Sequence, residues 1–191
     1  EAPRREMAVQ LYSVRQLIGT PELFARNHEY VLRRLAQMGY TGVEAASYED
    51  GKFSGLSPED FRQAVNAAGM ELMSSHTTRL LSPAEFESGD YTAALEWWDQ
   101  CIEAHRKAGI PRLVMSYAQQ LSCENELRVM AEYLNAIGRK CNEAGIRFGY
   151  HNHDQELRTR FSGMYIWDWL WQRFSPRVKQ EFDAGWCALA G

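Results

Sequence analysis

The 191-residue sequence lacks any apolar run near the roughly 20 residues that cross a bilayer, and no hydrophobic leader precedes EAPRREMAVQ. Nothing in it reads as a membrane anchor or signal peptide. The chain starts at Glu1 rather than Met, so localisation stays open between the cytoplasm and, after loss of a signal peptide, the periplasm. An excess of positive charge is also missing. With 21 Lys and Arg against 25 Asp and Glu, the formal net charge is -4, which gives no general attraction to phosphate backbones or anionic lipid. Nucleic acid and membrane are therefore poor partners. The 4 cysteines, Cys101, Cys123, Cys141 and Cys187, are far apart. That spacing excludes a CxxC zinc or redox pair and a dense disulfide framework, and the thiols read as buried and free. There is no low-complexity tract or Pro/Gly-rich linker, no GxGxxG after the first strand and no GxxxxGK[ST], so disorder and the nucleotide-binding open sheets lose support.

What is present is a globular composition, 45% hydrophobic, 12% aromatic and 24% charged, in a length that suits one ordinary domain or part of a larger one. One local pattern recurs: LAQMGYTGVEA, VNAAGMELMSS, HRKAGIPRLVMS and CNEAGIRFGYH. Each is the end of an amphipathic segment, a glycine, then a short apolar run. Gly39, Gly69, Gly109 and Gly145 sit where a helix ends in the left-handed conformation, so these are helix-to-strand junctions. The motifs SPED (57–60) and SPAE (82–85) supply helix starts, with Ser as N-cap, Pro at the first helical position and an acid three residues after the cap. The parse predicts helices over 22–38, 58–68, 90–108, 124–144 and 165–173, and strands over 7–13, 42–46, 71–75, 112–116, 147–151 and 178–182. A βα repeat of this kind is α/β with a parallel sheet, and without nucleotide motifs the expected closure is a (β/α)8 TIM barrel. About six βα units are present, so residues 1–191 read as a single barrel domain lacking the last two units. Its open strand edges would suit a homo-oligomer.

In such barrels the chemistry collects at the carboxyl ends of the strands. The predicted ends offer Tyr12 and Arg15, Glu44, His76, Ser116 and Tyr117, then YHNHDQE at 150–156, and Asp183 with Trp186 in DAGW. Each has a plainer reading: Tyr12 as a packing aromatic, Glu44 as an acid paired with Arg, His76 as a satisfied histidine, Trp186 as core. His28 and His105 fall in predicted helices and read as surface residues, while the tryptophans of WWDQ and IWDWLW read as helix faces packed on the sheet. His151 and His153 lie two apart, so an extended backbone points both to one side. Imidazole there serves as a transition-metal ligand or as an acid/base near neutral pH. Asp183, one strand over, could give a carboxylate to the same ion.

The ordered set QLYSVR, GVEAAS, SSHT, YHNHDQE and FDAGW resembles the sugar phosphate isomerase/epimerase family with a xylose-isomerase-like TIM barrel, over the chain from about Met7. The resemblance implies a divalent metal (Mn, Mg, Co or Zn) at the barrel mouth and proton transfer next to a carbonyl, through an enediolate, on a sugar, keto-sugar or inosose-like polyol. Carried over by position, Asp183 is a metal ligand. His151 stands where many members have a metal-binding Glu, and His153 where some have a substrate-contacting Lys or Asn. Glu156 matches a further acid in the same loop. The remaining family ligands, a His on strand seven and a Glu on strand eight, have no counterpart here. The expectation is thus a metal-dependent sugar or sugar phosphate isomerase/epimerase. His151 and Asp183 would hold the metal, His153 and Glu156 would act as acid/base, and Glu44, His76, Trp186 and Tyr12 would contact the carbohydrate. The alternatives are a keto-sugar lyase or dehydratase of the same family, a non-catalytic sugar-binding barrel, and a DNA-repair endonuclease, which the acidic charge disfavours.

Overall fold

A computed structural model describes residues 6–191. Strand Ala8–Gln10 (β1) leads through a 3-10 turn, Leu11–Val14, into the short helix Arg15–Ile18 (α1) and the longer Pro21–Gln37 (α2). Gly42–Ala45 (β2) is followed by the hairpin of Tyr48–Glu49 (β3) and Lys52–Phe53 (β4), then Pro58–Ala67 (α3) and Glu71–Thr77 (β5). Next come Pro83–Ser88 (α4), Thr92–Ala108 (α5), Arg112–Met115 (β6), Glu124–Glu143 (α6) and Arg147–His151 (β7). The chain continues through Gln155–Arg158 (α7), the hairpin Arg160–Phe161 (β8) and Met164–Tyr165 (β9), then Ile166–Trp171 (α8), Val178–Glu181 (β10) and Ala184–Ala190 (α9). The six strands β1, β2, β5, β6, β7 and β10 follow one another in that order in one sheet. This is the parallel α/β arrangement that the glycine repeat predicts.

The local signals act as expected. Ser57 and Ser82 accept from the backbone N–H groups of Asp60 and Glu85, and Glu85 completes a capping box by accepting from Ser82 N–H. The four junction glycines all have positive φ, from 71° to 98°. At Gly145 (φ 76°) an added Cβ would meet no neighbour, so the cost of Gly145→Ala is conformational alone. We expect a loss of about 1 kcal/mol in urea unfolding.

Three expectations are corrected. The first strand stops at Gln10 instead of running to 13, because β2 offers only the rungs Ala8↔Gly42, Val9↔Val43 and Gln10↔Glu44. Beyond it the LYSV run coils, and the Arg15 guanidinium donates to the Tyr12 carbonyl. Tyr12 is left 57% exposed. His105 is not a surface residue but has 0% exposure. Cys101 and Cys141 are buried as expected, whereas Cys123 is exposed and Cys187 half-buried.

Chain contacts divide the protein into two units. The first runs to Thr77 and includes Gln100–Leu113; the second comprises Thr78–Asp99 and Val114–Gly191. In the first, Phe24, Leu32, Leu35, Phe53, Phe61 and Val65 form the core. His105 lies in it with its ring 4.8 Å from Phe53 and 5.3 Å from Tyr48, and its Nδ1 pairs with the Cys101 carbonyl at 2.7 Å. A β-bulge in the parallel β2–β5 pair also belongs to this unit. Val43 pairs with Leu72 but Glu44 pairs with Ser74, so Met73 is an extra residue in β5. Gly42 makes space for it, since a Cβ there would sit 2.5 Å from Met73 Cγ. In the second unit, buried Trp98, Tyr133 and Phe148 pack together, and Trp98 Nε1–H donates to Tyr133 Oη at 2.6 Å.

Candidate functional site

The parity of β7 sorts YHNHDQE into two environments. Phe148 and Tyr150 face the helices: Phe148 meets Trp98, and Tyr150 meets Phe174 and shares a small cavity with Met130, Ile166 and Leu170. Gly149 and His151 take the opposite side of the strand. The imidazole rings of His151 and His153 lie with centroids 5.2 Å apart, so the two histidines do come together.

His151 is held between two carboxylates of the adjacent strand end. Its Nδ1 lies 3.1 Å from Glu181 Oε1, its register partner in β10, and its Nε2 lies 3.7 Å from Asp183 Oδ2. The second distance is too long for a hydrogen bond. It matches the separation of two donor atoms each about 2.1 Å from a shared ion. Asp183 caps α9, its Oδ1 accepting from Trp186 N–H at 2.8 Å, and Oδ2 is left toward His151. The two carboxylates address different nitrogens of the ring, so an ion between Nε2 and Asp183 Oδ2 would have an N/O donor pair that suits Mn, Co or Zn, while Glu181 orients the imidazole through Nδ1. His151 and Asp183 therefore fit as two ligands of a divalent ion. Glu181 was missed from the sequence, although its spacing of two from Asp183 on a strand is a signal that both side chains share a face.

His153 sits between three rings, 4.9 Å from Trp186, 5.5 Å from Tyr117 and 5.2 Å from His151. Its Nδ1 is buried and makes no hydrogen bond among the described residues. Burial, reinforced by the nearby His151, holds its pKa below the ordinary histidine value, so the neutral ring dominates. Glu156 is elsewhere. It is 2% exposed, on the helix-facing side of the turn. Its Oε1 accepts from Tyr150 Oη–H at 2.5 Å and its Oε2 from the His153 backbone N–H at 3.0 Å. Burial, followed by the charge of Glu156, pushes the Tyr150 hydroxyl well above its ordinary pKa, so it stays protonated and donating.

In the first unit a second polar cluster stands at the ends of β1, β2 and β5. Glu44 Oε2 accepts from Ser74 Oγ–H at 2.5 Å and its Oε1 from Gln10 Nε2–H at 2.7 Å. His76 Nε2 lies 3.3 Å from Glu44 Oε1, and its Nδ1 3.1 Å from Gln10 Nε2. Glu44 and His76 are thus brought together as expected. Gln10 and Ser74 were not foreseen, because the bulge that aligns Ser74 with Glu44 is invisible in the sequence. Tyr12 stands apart on the 3-10 turn with the Arg15 guanidinium 4.3 Å over its ring.

Parallel βα units whose strand ends gather imidazoles and carboxylates define a barrel-type protein with its polar chemistry at the carboxyl ends. Residues 32–191 match the family of xylose isomerase-like TIM barrels, and the chain belongs to that family. Two solved structures of a sugar phosphate isomerase/epimerase from Parabacteroides distasonis ATCC 8503 are similar. One is 25% identical with a TM-score of 0.82, over 99% of this chain and 68% of that one. The other is 24% identical with a TM-score of 0.83, over 97% and 71%. The fold also resembles a D-psicose 3-epimerase from Clostridium cellulolyticum H10, at 13% identity and a TM-score of 0.54, over 82% of this chain and 58% of that one. No curated protein matches the chain. Among the described residues no helix is long and apolar enough to cross a membrane.

Proposed function

We propose that the protein is a metal-dependent isomerase or epimerase of a sugar or sugar phosphate. The observation that carries this reading is the His151 imidazole set between the Glu181 and Asp183 carboxylates with the His153 ring beside it. His151, through Nε2, and Asp183 would hold a divalent ion, with Glu181 orienting the His151 ring through Nδ1; the ion would supply polarisation of a carbonyl and its neighbouring hydroxyl and so acidify the C–H of the hydroxyl-bearing carbon.

The chain's own residues do the rest. His153 is the acid/base, since its imidazole, kept neutral by burial, is able to take a proton from the carbon next to the carbonyl. For isomerisation the His153 imidazolium returns the proton to the neighbouring carbon while the hydroxyl proton passes between the two enediolate oxygens; epimerisation instead needs a second acid to deliver a proton to the opposite face. Tyr117 and Trp186 wall His153, and the Trp186 ring gives the apolar face of a sugar a surface to lie on. Within the first unit, Glu44, His76 and Tyr12 are assigned to carbohydrate contacts.

Glu156 has both oxygens occupied from behind the turn, and we assign it the task of fixing the His153 backbone. Glu156→Ala leaves a buried Tyr hydroxyl and a backbone N–H unpaired and is expected to cost on the order of 2 to 4 kcal/mol in urea unfolding. Glu156→Gln keeps an acceptor and should retain most of the turnover. Equal loss of turnover in both variants, at full folding, would instead make Glu156 a proton carrier.

The test of the function is deuterium uptake. With Mn or Co supplied in deuterated water, NMR of candidate ketoses, aldoses and their phosphates should show exchange at the carbon next to the carbonyl. Absence of exchange with every sugar, by a protein shown to be folded and metal-loaded, would sink the reading.

A further inference from the structure

Asn152 lies between the two histidines and has 0% exposure. The β7–β10 ladder ends at the rung His151↔Glu181. One residue further, the Asn152 side chain takes over. Its Oδ1 accepts from the Asp183 N–H at 2.8 Å, and its Nδ2–H donates to the Asp183 carbonyl at 3.3 Å. A single side-chain amide thus bonds both backbone polar groups of Asp183, as an opposing strand residue would, and it shares the carbonyl with the Cys187 N–H at 3.1 Å. The Asp183 carboxylate has one oxygen tied to Trp186 N–H. With backbone and Oδ1 both fixed, Oδ2 has little freedom to leave its place beside His151 Nε2.

We propose that Asn152 is a positioning residue that sets the Asp183 carboxylate and through it the affinity for a divalent cation. The inference rests on the metal-binding part of the reading above. It follows from what each residue touches. The Asn152 amide ties the Asp183 N–H and carbonyl to the end of β7, whereas the Cys187 N–H holds the carbonyl only within α9; an aspartate free to shift at the start of α9 would meet the ion only part of the time. Partners that orient a ligand typically change metal affinity by about 10- to 100-fold.

The experiment titrates Co2+ into the whole chain, following the visible d–d absorption and the heat of binding, with urea unfolding measured in parallel. Wild type is expected to bind about one Co2+, and Asp183→Ala to lose it. Asn152→Ala is expected to stay folded, bind Co2+ about 10- to 100-fold more weakly and show an altered spectrum. Asn152→Ser, whose hydroxyl is too short to span both Asp183 groups, should do the same and serves if the alanine variant does not fold. Affinity within threefold of wild type and an unchanged spectrum in a folded Asn152 variant would overturn the proposal while the metal site stands. Unfolding of both variants would assign Asn152 to the fold alone. No Co2+ bound by wild type would remove the metal reading itself, and this inference with it.

Discussion

Changing His153 to alanine is expected to lower the turnover of deuterium exchange by about 10²- to 10⁴-fold, the usual worth of one acid/base group. The magnitude rests on geometry more than on residue type. The side chain is held by three rings and burial keeps it neutral, so it is fixed in place and ready to accept a proton. Its backbone N–H remains bonded to Glu156 whatever the side chain, so the variant keeps the turn. Because Tyr117 and Trp186 also remain, KM should move much less than kcat, by about threefold or less against a kcat loss of at least a hundredfold. Steady-state exchange rates at several substrate concentrations separate the two. A loss below tenfold would hand the proton to another group, and a loss confined to KM would make His153 a binding residue.

The second large effect is on stability in acid, and it comes from His105. Burial pushes this histidine down to about 4, because a charged ring among Phe53, Tyr48 and Cys101 would leave water with nothing to balance it. Above pH about 6.5, the unfolded value, the ring is neutral in both states and contributes nothing to pH dependence. As pH falls from about 6.5 to 4 the unfolded chain takes up a proton that the folded chain refuses, so stability falls. The loss saturates below about pH 4 near 3 kcal/mol, from a difference of about 2.5 pH units at 1.36 kcal/mol each. Urea midpoints measured from pH 8 to 4 should therefore drop more steeply for wild type than for His105→Gln, which cannot take up that proton. Identical slopes would mean that the folded protein accommodates the charged ring after all.

The same residue shows where sequence reading reaches its limit. A histidine in a helix was assigned to the surface by residue type, yet Cys101, His105 and Ala108 follow the 4- and 3-residue spacing of one helix stripe, and all three are buried. The periodicity held the answer and the polarity of imidazole hid it. The junction glycines were legible because positive φ at the end of a helix is a demand that few other residues meet. The His151 and His153 pairing was legible because strand parity is a local rule. Asn152 was not, because its role depends on Asp183, 31 residues away and one strand over. Glu156 looked like one more acid at the rim. Only the curl of α7 behind the turn shows that its carboxylate points to Tyr150.

The bulge at Met73 gives the polar cluster of the first unit a phase. Strand side chains alternate, so an even pairing after Val43↔Leu72 would set Glu44 against Met73 and turn Ser74 away. The supernumerary residue resets the count, and from there on the hydroxyl of Ser74 and the imidazole of His76 fall on the side that Glu44 occupies. Gly42, which leaves space for the displaced thioether, is therefore coupled to a carboxylate it never touches. Widening position 42 or removing position 73 would act on Glu44 as a frameshift acts on a codon, by changing which partner is read.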